Sequence, residues 1–314
     1  MSDIPSYLKV NYTIRPAKSI ERKMIAEACA RLSAFSRVSS YRYIGLGSIF
    51  FTDFTLFHRT LGFSEMISME ENIEDSGRFE FNKPLGCIQI EFGNSRQVLP
   101  TLKWQNRPTI IWLDYDRALD KDKLEDIGYV VANLCPPSML IVTLRAVADD
   151  FGDPDSRLAV LKEELKDKLS YEIQTKDLIQ TRFPMAVRNI VHDNISLVMN
   201  ERNAGFPREN RFEYRQILNF CYSDGTMMVT IGGVIVQTGQ LPNFGHCDFN
   251  YLEFYRPGEE SYFIRAPSLT LLEQRFLDLQ FPSASAYCPC VPNDDILAYA
   301  KLYRYFPKFV EAEI

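Results

Sequence analysis

With 314 residues, 46% of them apolar, the chain can build the full core of one large domain with additions, and a mainly disordered protein is excluded. A formal net charge of −6 argues against non-specific binding along nucleic-acid phosphates, which calls for a basic surface. No uncharged run reaches the ~20 apolar residues of a bilayer span, and the polar opening Met1–Val10 lacks the apolar stretch of a secretory leader, so a cytoplasmic protein is expected.

In chain order, Ser19 can cap a helix running to about Phe35, with Ile20, Met24, Ile25, Ala28, Leu32 and Phe35 on one face and Glu21 in the first turn. A short strand, Tyr41–Leu46, runs into Gly45-Leu46-Gly47-Ser48, and a helix near Thr52–Thr60 stops at Gly62. Glu65–Met69 predicts a second strand ending in Glu70-Glu71, and a helical stretch Glu74–Asn82 precedes Pro84. Cys87–Phe92 is a third strand, followed by Gly93-Asn94-Ser95. Thr109–Leu113 is a continuous apolar run, as suits a strand buried on both faces of a parallel sheet, and it ends in Asp114-Tyr115-Asp116. Leu124, Ile127, Val131 and Leu134 mark a helix, and Met139–Leu144 a fifth strand.

This alternation predicts an α/β fold with a mostly parallel sheet. The middle, about 151–210, is a helical insertion. Two apolar runs then flank Asp224-Gly225, a pair suited to a tight hairpin turn, and predict an antiparallel addition to the sheet. Gly232-Gly233 in the second run suggests a bulge. The expected organisation is a domain over 1–240 and a helical C-terminal extension over 241–314, with helices at Ser268–Leu279 and Asp294–Tyr305.

Three strand ends carry the functional signal. The first has Gly45 and Gly47, where bare backbone can approach a ligand. The second has Glu70, at the distance where an acid meets ribose hydroxyls in nucleotide-binding α/β folds. The fourth has Asp114. Ligands of open α/β sheets bind outside these carboxyl ends. The position three after Gly47 is Phe50, so the dinucleotide fingerprint fails, which favours a ligand without phosphates.

Tyr43-Ile44-Gly45-Leu46-Gly47-Ser48 resembles the first motif of class I S-adenosylmethionine-dependent methyltransferases, and Ser68-Met69-Glu70-Glu71 their second strand with its ribose-binding acid. Ile90-Glu91-Phe92-Gly93-Asn94-Ser95, with Val98-Leu99-Pro100, is similar to their adenine-side segment. Ile111-Trp112-Leu113-Asp114-Tyr115-Asp116 is similar to the Asp-x-Asp of small-molecule O-methyltransferases. The opening Asn11–Lys23 resembles that of a bacterial family labelled putative O-methyltransferase. Tyr43 replaces the usual acid, Ile49 the third glycine and Asn94 the adenine-side Asp.

The resemblance implies a Rossmann-like methyltransferase fold that binds S-adenosylmethionine through Gly45, Gly47, Ser48, Glu70, Glu71, Asn94, Ser95 and Asp114. Asp114, Asp116 and His192 are the catalytic candidates, acting on an unidentified acceptor. Three readings of Asp114 and Asp116 stay open: capping the next helix, serving the acceptor, or holding a divalent cation, which needs several more oxygens. Arg15-Pro16-Ala17-Lys18 either begins a solvated helix or folds over the cofactor. No metal is expected: the spacing of Cys288, Cys290, His246 and Cys247 matches no usual zinc pattern, and the seven scattered cysteines read as free thiols. The absence of Asp-Pro-Pro-Tyr after strand four argues against a DNA adenine methyltransferase. The rival expectation is a non-catalytic module of the same fold that binds a partner or senses a nucleotide, in phage defence.

Overall fold

The computed structural model describes residues 15–105, 107–169, 173–283 and 285–308. The opening Met1–Val10 and positions 11–14 of the Asn11–Lys23 motif lie outside them. The described strands are β1 (Arg42–Leu46), β2 (Met66–Glu70), β3 (Ile88–Phe92), β4 (Thr109–Ala118), β5 (Ser138–Arg145), β6 (Phe212–Ser223), β7 (Met227–Gln237) and β8 (Tyr262–Ile264). They form one sheet in the order β3-β2-β1-β4-β5-β7-β6-β8. The first five pair in parallel, and β7 joins β5 antiparallel. Buried central strands explain the unbroken apolar runs at Ile110–Leu113 and Met139–Val142.

The helices are α1 (Pro16–Arg31), α2 (Thr52–Leu61), α3 (Ser76–Asn82), α4 (Ser95–Val98), α5 (Lys121–Asn133), α6 (Arg157–Leu165), α7 (Phe183–Arg202), α8 (Leu241–Gly245), α9 (Leu271–Asp278) and α10 (Asn293–Leu302). They cover the sheet on both faces. On one face, α1 and α2 pack Ile20, Met24, Phe54 and Phe57 against Tyr43, Ile110, Trp112 and Ile141. On the other, α5 and α7 pack Leu124, Ile127, Ile190 and Val191 against Ile44, Ile111, Leu113 and Leu140. The strand residues divide between the two cores by their period of two.

Three local expectations change. Helix α1 starts at Pro16, so Ser19 lies inside it rather than at its cap. Its first amides are capped from across the molecule, by the Asp224 carboxylate: Ala17 N–H and Lys18 N–H donate to Oδ1 and Oδ2 at 3.1 and 2.9 Å. The Asp224-Gly225 turn does close β6 and β7, with Gly225 at φ +104°. The bulge lies on β6 between Gln216 and Leu218, facing Gly232-Gly233, so the glycines accommodate the extra residue rather than supply it. The C-terminal segment adds a strand as well as helices. Three-residue β8 pairs in parallel with β6, and it is too short to show a periodicity. Beyond it, Leu277, Cys288, Ile296 and Tyr299 form a small separate core.

Candidate functional site

The register brings the three strand ends together. Gly45 pairs with Ser68 on β2 and with Trp112 on β4. Two residues further along the three chains stand Gly47, Glu70 and Asp114, level with one another at the carboxyl ends of adjacent strands. The fold reverses here: α2 carries β1 to β2 across one face, and α5 carries β4 to β5 across the other. Such a switch point opens the crevice where ligands of α/β sheets bind.

The two glycines of the turn differ in kind. A Cβ on Gly47 would stand 2.0 Å from both Glu70 Oε1 and Ser68 Oγ, so any other residue here must displace the acid of β2 and its serine partner. A Cβ on Gly45 would meet the Tyr43 hydroxyl at 2.8 Å and the Phe54 ring at 3.3 Å, so Gly45 makes room for aromatic packing inside the core. Ser48 shapes the turn: its Oγ accepts the Phe50 N–H at 3.3 Å and its carbonyl the Phe51 N–H at 3.0 Å. Phe51 closes the loop in the left-handed region at φ +44°, a costly conformation for a bulky residue that its full burial holds in place. Tyr43, standing where the family motif has an acid, donates its hydroxyl to Asp53 in the first turn of α2. A carboxylate therefore reaches this spot from the helix.

Glu70 is only 5% exposed and accepts a hydrogen bond from Ser68 Oγ at 3.2 Å. Burial pushes its pKa up to about 8, with Asp53 adding repulsion and Ser68 pulling the other way. Glu71 is exposed beyond it. On the β3 side, Asn94 Oδ1 accepts the Gln97 N–H at 3.0 Å and caps α4. Ser95 Oγ donates to the buried Asp126, which also receives the Tyr115 hydroxyl at 2.9 Å. Both side chains predicted to face adenine thus already serve the fold.

Asp114 lies within β4, which continues to Ala118, and it caps nothing; the cap of α5 is Asp120. Its carboxylate is 26% exposed, and Oδ1 receives the Lys18 ammonium at 2.6 Å. Lys18, 3% exposed, also meets Glu21 Oε2 at 2.8 Å and the Tyr222 hydroxyl at 3.1 Å, and lies 4.4 Å from the centre of the Trp112 ring. Behind it a chain of hydroxyls runs inward. Trp112 Nε1–H donates to Thr143 Oγ1 at 2.9 Å, Thr143 and Thr230 hydroxyls meet at 2.7 Å, and Thr230 donates to Glu21 Oε1. Asp116 is exposed further along β4.

His192 stands apart. It sits on α7, which packs on the face opposite Lys18 and Asp114, and it neighbours Arg188, itself bonded to Gln216 at 2.7 Å. Burial lowers the His192 pKa, and Arg188 adds to this. The sequence reading did not assign Lys18 and Glu21 to this cluster: Lys18 stood in a segment read as a solvated helix start or a fold over the cofactor, and Glu21 as a first-turn acid. A signal existed. Glu21 falls on the stripe of Ala17, Met24, Ile25 and Ala28, at the i, i+3, i+4 spacing of a buried face. Among the described residues, no group of three His, Cys, Asp or Glu side chains could hold a metal, and no helix is long and apolar enough to cross a membrane.

A mostly parallel sheet with an antiparallel hairpin, a glycine turn over an acid and a switch-point crevice define a Rossmann-like fold of the methyltransferase type. Residues 10–314 match the model of a family described as putative O-methyltransferase, and the chain belongs to that family. By that family it is an enzyme of the methyltransferase class. No curated protein sequence matches it. Among solved structures it resembles a probable spermidine synthase from Corynebacterium glutamicum, at 18% identity and TM-score 0.36 over 46% of this chain; the match spans only 54% of the synthase chain. It also resembles a putative O-methyltransferase from Klebsiella pneumoniae, at 14% identity and TM-score 0.36, covering 73% of this chain and 94% of that one. An O-methyltransferase from Bacillus cereus in complex with SAH is similar at 12% identity and TM-score 0.37, covering 73% and 86%. Likeness this distant transfers no chemistry.

Proposed function

We propose that the chain holds S-adenosylmethionine over Gly47 and Glu70 and transfers its methyl group to an oxygen of an acceptor positioned by Asp114. The observation that carries this reading is the level of Gly47, Glu70 and Asp114, with no room for a Cβ between the turn and the acid. The fit extends to a buried Thr52 hydroxyl at the start of α2, which has no partner among the described residues.

The bound cofactor supplies an electrophilic methyl on a positive sulfonium. Glu70 accepts the ribose hydroxyls, and its buried carboxyl must lose a proton to accept both. Asp114 is fixed by the sheet and by Lys18, and its carboxylate is a quarter exposed. From there it orients the acceptor hydroxyl or takes its proton, and alignment of the two partners supplies the larger part of the rate. Asp116 lines the approach. Residues up to about 240 carry this site, and the segment beyond serves as an extension.

Calorimetry with S-adenosylmethionine and S-adenosylhomocysteine (SAH) tests the donor site. Glu70→Ala is expected to weaken both ligands by about 1–3 kcal/mol, the range for losing a charge-assisted hydrogen bond; unchanged affinity removes Glu70 from the site. Label transfer from the donor into cell extract tests the acceptor side. Asp114→Asn should keep the fold and SAH affinity while losing at least about a hundredfold in turnover, the lower range for general-base catalysis. Full transfer by that variant rejects the role given to Asp114.

A further inference from the structure

Lys18 cannot be a ligand contact. An ammonium has three N–H donors, and Asp114, Glu21 and Tyr222 present three oxygens to it within 3.1 Å. It is also nearly sealed from solvent, while Asp114 beside it is a quarter exposed. Its partners are unequal in number: one positive charge lies between two carboxylates. The contacts of the second one suit an ionised carboxylate. The Trp112 indole can only donate, so Thr143 accepts from it; the Thr143 and Thr230 hydroxyls share one hydrogen bond, and Thr230 donates to Glu21. With the Thr230 hydroxyl donating to one oxygen and the Lys18 ammonium 2.8 Å from the other, Glu21 is set as the ionised partner of an ion pair.

We infer that Glu21, which never meets the ligand, prevents Lys18 from neutralising Asp114, so that the cluster presents one net negative charge to the one positive charge of the sulfonium. This rests on the donor occupying the crevice as proposed above. Lys18 and Glu21 are then positioning residues that act through Asp114. Asp114 supplies the partly exposed carboxylate, Lys18 holds it in place, and Glu21 sets the charge. The surrounding groups leave this balance in place. Tyr222 and Tyr43 stay neutral, their pKa values held well above the ordinary range by burial. Arg22 acts on Asp53, whose pKa burial raises, and Arg15 acts on Tyr222.

SAH is the natural probe, because it lacks only the methyl group and the charge. The ionisable amino and carboxylate groups common to both ligands cancel in the ratio of their affinities. Calorimetry on Glu21→Gln should show S-adenosylmethionine weakened about tenfold and SAH held within about twofold, the size of a charge interaction across several ångströms of protein. Gln can keep both contacts, since the Thr230 hydroxyl can turn to accept. A folded Glu21→Gln protein with the wild-type ratio overturns the inference, and so does an equal loss for both ligands, which marks a structural role. Should that variant not fold, the pH dependence of the ratio decides in a Glu70→Gln background, which removes the other raised carboxyl of the crevice. Burial raises the Glu21 pKa, with Lys18 opposing, so there the ratio should fall as pH is lowered across the range in which the protein stays folded. A flat ratio across that range overturns the inference equally. Failure of SAH to bind the wild-type protein at all instead rejects the donor site itself.

Discussion

Under α5 and α7 the sheet buries Ile111, Leu113, Leu140 and Val142 against leucines, isoleucines and valines. Its buried charges lie toward the margin and are hydrogen-bonded, Asp126 to Ser95 and Tyr115, Arg188 to Gln216. Under α1 and α2 the same strands bury Ser68, Glu70, Thr143 and Thr230, and α1 lays Lys18, Glu21 and Arg22 on top of them. One face is made for stability. The other removes several charges from water, which costs more than their mutual attraction returns unless each is well partnered. Strongly perturbed groups gathered at one crevice mark a working site rather than a supporting one.

The largest expected effect tests that contrast directly. Lys18→Met leaves Glu21 buried without its ion partner and should cost about 3–5 kcal/mol at neutral pH. Leu113→Ala on the other face should cost a similar amount, about 2–5 kcal/mol, by leaving a cavity. The pH dependence separates them. Burial already raises the folded pKa of Glu21 above its unfolded value, and removing Lys18 raises it further. The folded variant then binds more protons than its unfolded chain, so its stability is greatest at low pH and is lost as pH rises. Urea unfolding at about pH 5.5 and 7.5 should show the Lys18→Met deficit shrinking on acidification and the Leu113→Ala deficit unchanged. A pH-independent Lys18→Met deficit would erase the distinction between the faces.

A smaller effect belongs to the turn that joins the two halves of the molecule. Gly225 has φ +104°, and its neighbour Asp224 caps α1 over more than 200 residues of chain. Gly225→Val should lower stability by about 1–3 kcal/mol through backbone strain alone. A thermal melt matching the wild type would mean that the turn adopts another geometry at no cost.

The apolar face was largely legible in the sequence, because strands buried on both sides write continuous runs and α5 writes a clean helical stripe. The glycine turn and Glu70 were legible because their spacing follows from one strand–helix–strand unit. The charged face was not. Lys18 meets Asp114 across 96 positions and Tyr222 across 204, and Glu21 meets Thr230 across 209. No local pattern encodes such pairs. Charged residues near a helix start read as solvated until the fold closes over them. Asp114 was expected at a strand end, but β4 runs on past it to Ala118, and the capping alternative falls to Asp120.

The smallest effect concerns Asn94, where the two kinds of role meet in one side chain. Its Oδ1 accepts the Gln97 N–H at 3.0 Å, and its own N–H reaches Gln97 Oε1 at 3.4 Å, a reciprocal cap on the short helix α4. Asn94→Ala removes the first of these and should cost about 1 kcal/mol of stability. The amide NH2 group is not used by the cap, so a ligand contact through nitrogen stays compatible with it. Asn94→Asp separates the two, because a carboxylate keeps the cap and lacks that donor. If Asn94 serves the fold alone, the Asp variant melts like the wild type and binds SAH within about twofold, while the Ala variant loses stability. If the nitrogen donates to the adenine, the Asp variant keeps its stability and loses affinity by about tenfold, the weight of one hydrogen bond left unmade beside a buried charge.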